Sequence, residues 1–161
     1  SETVITSPGT SIAPGSLGRA YQDQGRIEEA IAEYNKAIEV YPGNYKAFYN
    51  LGVLYESQGA IAEATEYYKK AIAVNPAFID AHFNLANIYH NRGLLNEAID
   101  HYRKVTELDP TDFEARNNLG VTYARKGDLT SAVEEWQRVL EIDPQNQSAL
   151  DNIKKANEMM D

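Results

Sequence analysis

The stretch from residue 45 to residue 78, YKAFYNLGVLYESQGAIAEATEYYKKAIAVNPAF, decides the fold, because its pattern returns every 34 residues. Residues 11–44, SIAPGSLGRAYQDQGRIEEAIAEYNKAIEVYPGN, carry it before, and residues 79–112 and 113–146 carry it after. Leu17-Gly18, Leu51-Gly52, Leu85-Ala86 and Leu119-Gly120 fall in one register. So do Tyr21, Tyr55, Tyr89 and Tyr123, and four residues on Gly25, Gly59, Gly93 and Gly127. Ala30, Ala64, Ala98 and Ala132 follow, then Tyr34, Tyr68, Tyr102 and Trp136, and each unit closes on Pro42, Pro76, Pro110 or Pro144. Agreement at seven positions through four copies excludes coincidence, and self-similarity at such a period marks a repeat architecture.

Each recurring residue type has a physical task. The small residue after each Leu lets two helices approach closely, with the Tyr three positions on covering the contact. The Gly stands where a first helix stops, since glycine takes the left-handed conformation without steric cost. The Ala of the second helix is expected opposite the small residue of the first, and the Tyr or Trp after it fills the volume between them. The Pro lacks a backbone donor and ends the second helix. First helices are therefore expected over 15–24, 45–58, 79–92 and 113–126, and second helices over 28–41, 62–74, 96–108 and 130–142. Pairs of this kind bury too little surface alone and are stabilised by their neighbours.

With these residues the sequence resembles the tetratricopeptide repeat family. The second repeat matches all eight signature positions of the family, at Phe48, Leu51, Gly52, Tyr55, Ala64, Tyr68, Ala71 and Pro76. The first departs at Pro14, the third at His82 and Val105, and the fourth at Arg116 and Val139. The resemblance covers roughly residues 11–161. It implies an all-α, right-handed α-solenoid of four helix-turn-helix repeats (11–44, 45–78, 79–112 and 113–146) followed by a C-terminal capping helix over 147–161. The cap is expected because Ala149 continues the register of Ala47, Ala81 and Ala115, while Lys154 and Asn157 replace the small residue and the Tyr. Leu150 and Ile153 are expected to face the preceding repeat. Residues 1–13, rich in Ser, Thr, Pro and Gly, form an extended or flexible tail in this reading. Val4, Ile5 and Ile12 would let that tail dock on a repeat surface of its own or of a neighbouring copy.

The resemblance also implies where a partner binds. In the family, first helices line the concave side, and ligands contact positions 2, 5, 6, 9, 12 and 13 of each repeat. Position 6 holds Asn50, Asn84, Asn118 and Asn152, an asparagine ladder with the repeat spacing. A carboxamide offers donors and an acceptor, so a row of them can hold an extended peptide backbone. Lys46, Tyr49, Phe83, Asn87 and Asn117 lie at the neighbouring positions, with Tyr49 and Phe83 as candidate apolar anchors. The matching residues for a carboxylate clamp of the chaperone-binding type are Gly15 and Arg19, which do not rebuild it.

Signs of chemistry are absent. There is no cysteine, hence no disulfide, thiolate metal site or cysteine nucleophile. His82, His90 and His101 lack the i, i+4 spacing of a helical zinc pair. His82 reads as a packed helix residue in place of a core aromatic. No glycine-rich phosphate loop or Gly-x-Ser-x-Gly elbow occurs. The pairs Glu28-Glu29 and Glu134-Glu135 read as solvated faces near helix starts, where carboxylates complement the dipole. No cofactor and no metal is expected.

The net charge of −9 argues against nucleic acid or an anionic membrane surface as partner. No run of 18 apolar residues exists, so direct membrane insertion is not expected. Residues 1–16 lack the basic start and apolar block of a signal peptide, and a soluble, cytoplasmic protein is favoured. The chain does not begin with methionine and is expected to be a mature form or part of a longer one. The reading is a non-catalytic protein–protein interaction module that binds an extended peptide or protein segment in its concave groove. The alternatives are a self-assembling scaffold, through the N-terminal tail or the repeat ends, and the substrate-recruiting repeat segment of a larger enzyme.

Overall fold

In the computed structural model, which describes residues 14–161, each glycine of the repeat register closes a helix with a left-handed residue. Gly25, Gly59, Gly93 and Gly127 have φ of 71°, 77°, 77° and 91°. The backbone N–H of each donates to the carbonyl three residues back, and the next N–H reaches the carbonyl of the recurring Tyr. For the second repeat these are Gly59 to Glu56 and Ala60 to Tyr55, both at 2.9 Å. Two orphan carbonyls of the helix end are thereby satisfied. The residue after the glycine at once opens the next helix, since the carbonyls of Arg26, Ala60, Leu94 and Asp128 accept from Ala30, Ala64, Ala98 and Ala132. One two-residue turn thus ends the first helix and caps the second. For this reason second helices start one residue earlier than their periodicity predicts.

The elements are α1 Pro14–Asp23, α2 Ile27–Val40, α3 Tyr45–Ser57, α4 Ile61–Val74, α5 Ile79–Asn91, α6 Leu95–Leu108, α7 Phe113–Lys126, α8 Leu129–Ile142 and α9 Gln147–Met160. No strand occurs among the described residues, and the fold is an all-α helical repeat. The expected tail over 1–13 lies outside the described residues. Second helices end two residues before the proline, because the residue preceding proline is forced into extended backbone. Tyr41, Asp109 and Asp143 adopt it, with φ of −138°, −129° and −129°. First helices start on a side-chain cap wherever the last repeat position offers one. Asn44, Asp112 and Asn146 accept from the amides of Ala47, Ala115 and Ala149 at 3.1, 2.9 and 3.1 Å. Phe78 holds that position before α5 and offers no cap.

The chain divides into two compact units, one ending at Val74 and one beginning at Asn75. In the first, Ala30, Tyr34, Ala37, Ala47, Leu51 and Leu54 form a buried cluster. In the second, Ala86, Ala98, Ile99, Tyr102 and Leu119 form one cluster, and Ala132, Trp136, Val139, Ala149 and Ala156 another. The small residue of the first helix packs first against the large aromatic of the second, and in the third repeat Ala86 and the second-helix Ala98 share one buried cluster. A Cβ placed on Gly18, Gly52 or Gly120 would meet Tyr34, Tyr68 or Trp136 first, at 2.9, 2.5 and 2.5 Å. On α9, Ala149, Ile153 and Ala156 form the packed face. Leu150 lies off it and is 41% exposed, contrary to the expectation. No helix of the described residues is long and apolar enough to cross a membrane.

Candidate functional site

The two departures from the repeat pattern at position 4 are made good by a second departure 19 residues on. His82 is buried, and its Nδ1 lies 2.8 Å from Nδ1 of His101, which stacks on Tyr89. His82 Nε2 is 3.0 Å from the Pro76 carbonyl. That oxygen only accepts, so Nε2 of His82 carries the proton, its Nδ1 accepts, and His101 donates. Burial lowers the pKa of His82, with the Pro76 hydrogen bond opposing and the Lys104 charge adding. In the fourth repeat Arg116 does the same work. Its Nε donates to the Pro110 carbonyl at 3.1 Å and its Nη1 pairs with Glu135 at 3.1 Å. Glu135 is buried and also holds Arg138 at 2.9 Å. Glu135 is therefore not part of a solvated face: the ion pair draws it into the helix interface. In the second repeat Tyr67 occupies this position and stacks on Tyr55 with centroids 5.2 Å apart.

The residues expected to line the groove sit on first helices, as their register requires. Asn50, Asn84, Asn118 and Asn152 are all half-buried, on α3, α5, α7 and α9. Two of them also touch the interior. Burial raises the pKa of the Tyr34 hydroxyl, opposed by the Arg19 charge, with the Asp23 charge adding and an Asn50 hydrogen bond lowering it. The Tyr102 hydroxyl is pushed up to about 12, mainly by burial, against a hydrogen bond from Asn118 and with the Glu114 charge adding. Tyr102 in turn donates to Asn87 Oδ1. A residue hydrogen-bonding to the phenol in a way that favours its ionised form acts as donor. Asn50 and Asn118 thus stand beside the buried hydroxyl of the preceding repeat, a neighbourhood the sequence did not reveal.

The remaining candidates divide. Lys46 is exposed and lines a hollow of about 420 Å³ in the first unit, together with Arg19, Tyr34 and Asn50. Tyr49 and Phe83 are half-buried, each against the buried tyrosine of its own repeat. Tyr49 lies 5.6 Å from Tyr68, and Phe83 meets Tyr102 edge-on at 6.0 Å. Asn117 gives its backbone carbonyl to Trp136 Nε1 at 3.3 Å, while its Oδ1 is buried with no partner. Of the edge residues, His90 Nδ1 bonds Thr122 Oγ1 at 2.8 Å, and Arg125 donates to the His90 carbonyl. Thr122 spends its own proton on the Asn118 carbonyl at 2.6 Å, so His90 is the donor to it. Burial lowers the pKa of His90, and the Arg125 charge adds to this. No group of three His, Cys, Asp or Glu that could hold a metal ion occurs among the described residues.

Comparison with known proteins agrees with this geometry. Family models of the tetratricopeptide repeat match residues 16–77, 67–100, 86–127 and 113–146, a span without a gap. No curated protein sequence matches the chain. Among solved structures, the crystal structure of MamA is similar over 89% of this chain and 84% of its own, with 24% identity and a TM-score of 0.80. A tetratricopeptide repeat protein from Parabacteroides merdae ATCC 43184 is similar over 91% of this chain and 59% of its own, with 22% identity and a TM-score of 0.82. Repeats of this kind form modules for protein–protein interaction or scaffolding. From its register, its turns and these matches, the chain belongs to the tetratricopeptide repeat family.

Proposed function

We propose that the chain is a non-catalytic interaction module that holds an extended protein segment along the amides of its first helices. The observation that carries the reading is the row Asn84, Asn118 and Asn152, half-buried at one register on α5, α7 and α9 of the second unit. Asn50 offers the same group in the first unit. Each carboxamide carries two donors and an acceptor that can serve a peptide backbone. In the second unit Asn87, Asn117 and Phe83 lie at neighbouring register positions of the row, and in the first unit Lys46 and Tyr49 do so for Asn50.

The test is selection of linear peptides on the immobilised full chain, followed by titration against variants. Replacing Asn84 and Asn152 by Ala is expected to weaken the selected peptides. Each lost hydrogen bond is worth about 0.5–1.5 kcal/mol, or about two- to twelve-fold in affinity. Replacing the exposed second-helix residues Glu97 and Gln137 by Ala is expected to leave binding unchanged. The opposite pattern would move the site to the second helices and reject the reading.

A further inference from the structure

The end of the amide row differs from the rest because one buried aromatic is not a tyrosine. In the first and third repeats the hydroxyls of Tyr34 and Tyr102 donate to Gln22 and Asn87 and stand beside Asn50 and Asn118. In the fourth repeat Trp136 stands at this register, and its polar atom donates to the Asn117 carbonyl. Indole has no acceptor and no second donor, so it offers nothing to Asn152. Among the described residues the Asn152 side chain has no hydrogen bond. It lines a cavity of about 400 Å³ between α7, α8 and α9. Trp136, Leu129 and Met159 supply apolar wall, and Arg125 and Lys155 supply two cations. No Asp or Glu lines the cavity, although the chain carries 24 acidic residues against 15 basic. Neither cation is in an ion pair among the described residues.

From this juxtaposition we infer that the cavity selects which segment the module holds. It takes a large apolar side chain of an internal protein segment that has an Asp or Glu beside it. The apolar side chain enters against Trp136, Leu129 and Met159, where removal of its surface from water drives binding. The neighbouring carboxylate meets Arg125 and Lys155, which steer and orient it. Asn152 holds the backbone between the two. A basic segment would face two like charges with no acid to relieve them, so the cavity discriminates by repulsion as well. The inference rests on the proposed groove function and adds the chemistry of the partner to it.

Trp136 is the chain's one tryptophan, so its fluorescence reports on this cavity. The experiment takes blocked synthetic copies of the peptides selected on the full chain and titrates them into wild type and Lys155→Glu. Lys155 is exposed, so the variant keeps the fold, and its circular dichroism and melting temperature check this. The expected result is enrichment of an apolar residue next to Asp or Glu, a shift of Trp136 emission, and about tenfold weaker binding to Lys155→Glu. Lys155→Arg is expected to bind like wild type. Peptides that depend on Asn84 yet lack the acidic–apolar pair, or leave Trp136 emission unchanged, would overturn this inference and leave the groove reading intact. No enriched peptide at all would overturn both.

Discussion

Gly52 shows how a single hydrogen atom is required by volume. A Cβ there would lie 2.5 Å from the Tyr68 ring, inside any allowed contact. The third repeat carries Ala86 at this register with Tyr102 still buried, so the ring can yield at some cost. Gly52→Ala is therefore expected to destabilise by about 1–2 kcal/mol, an overpacking effect, seen as a lower urea midpoint with an unchanged slope. An unchanged midpoint would mean that the glycine serves another purpose. His82 makes a second prediction. Its folded-state pKa lies below the ordinary 6.5, so the unfolded chain binds that proton more readily. Stability is present in full above pH 6.5 and falls as pH drops from there through the lower folded-state value. His90 contributes in the same direction. His82→Phe, which copies Phe48, is expected to flatten the loss between pH 7.5 and 5 in part, leaving the share of His90. Equal slopes in variant and wild type would show that His82 does not titrate on unfolding. The sequence announced the glycine, because a small residue held next to Leu through four copies marks a close helix contact. It announced His82 as a packed residue, but not the His101 partner, because a contact 19 residues away on another helix leaves no local signal.

At the scale of helices, boundaries were legible because glycine and proline act locally. The left-handed turn and the extended residue before proline both depend on backbone sterics of one or two residues. Interfaces between helices were less legible. Glu135 reads as a surface carboxylate by composition, and only the approach of α7 to α8 gives it Arg116. Leu150 reads as core by hydrophobicity, yet the stripe Ala149, Ile153 and Ala156 turns it away. The Arg116–Glu135 pair supports a prediction on exchange between repeats. Arg116→Ala leaves a buried carboxylate with Arg138 as its remaining cation, and breaking such a pair costs about 3–5 kcal/mol, less the share Arg138 keeps. The double variant Arg116→Phe with Glu135→Tyr installs the residue types of Phe48 and Tyr67 from the second repeat. Packed apolar groups can replace a buried ion pair without loss, so the double variant is expected to recover most of the stability in urea unfolding. A double variant as unstable as Arg116→Ala would show that the two positions do not work as a unit.

For the whole molecule, the period of 34 residues was enough to assign an all-α helical repeat fold, because every unit poses the same packing problem and solves it with the same residue types. The candidate groove was less legible, because register proposes a ligand role and says nothing of the interior. Register alone offers Asn118 as a candidate contact, whereas packing sets it beside the buried Tyr102 hydroxyl. Asn118→Ala would therefore confuse binding with stability, and Asn152 is the cleaner probe. The same interlocking of neighbours shapes the unfolding of the chain. Leu119 is 1% exposed and joins α7 to Ala86, Ala98, Ile99 and Tyr102 of the preceding repeat. Leu119→Ala removes about 2–5 kcal/mol of packing, most of it from the contact between two consecutive repeats. In stacked repeats stability is a sum of unit and nearest-neighbour contributions, so this loss stays local. Cooperative blocks can then open separately. Hydrogen exchange on the variant is expected to show α7, α8 and α9 losing protection while Ala30–Ala37 and Leu51–Leu54 keep theirs. Thermal unfolding should broaden in step. A sharp transition at lower temperature, with protection lost equally from α2 to α9, would mean that the chain folds as one cooperative block and would defeat the nearest-neighbour account.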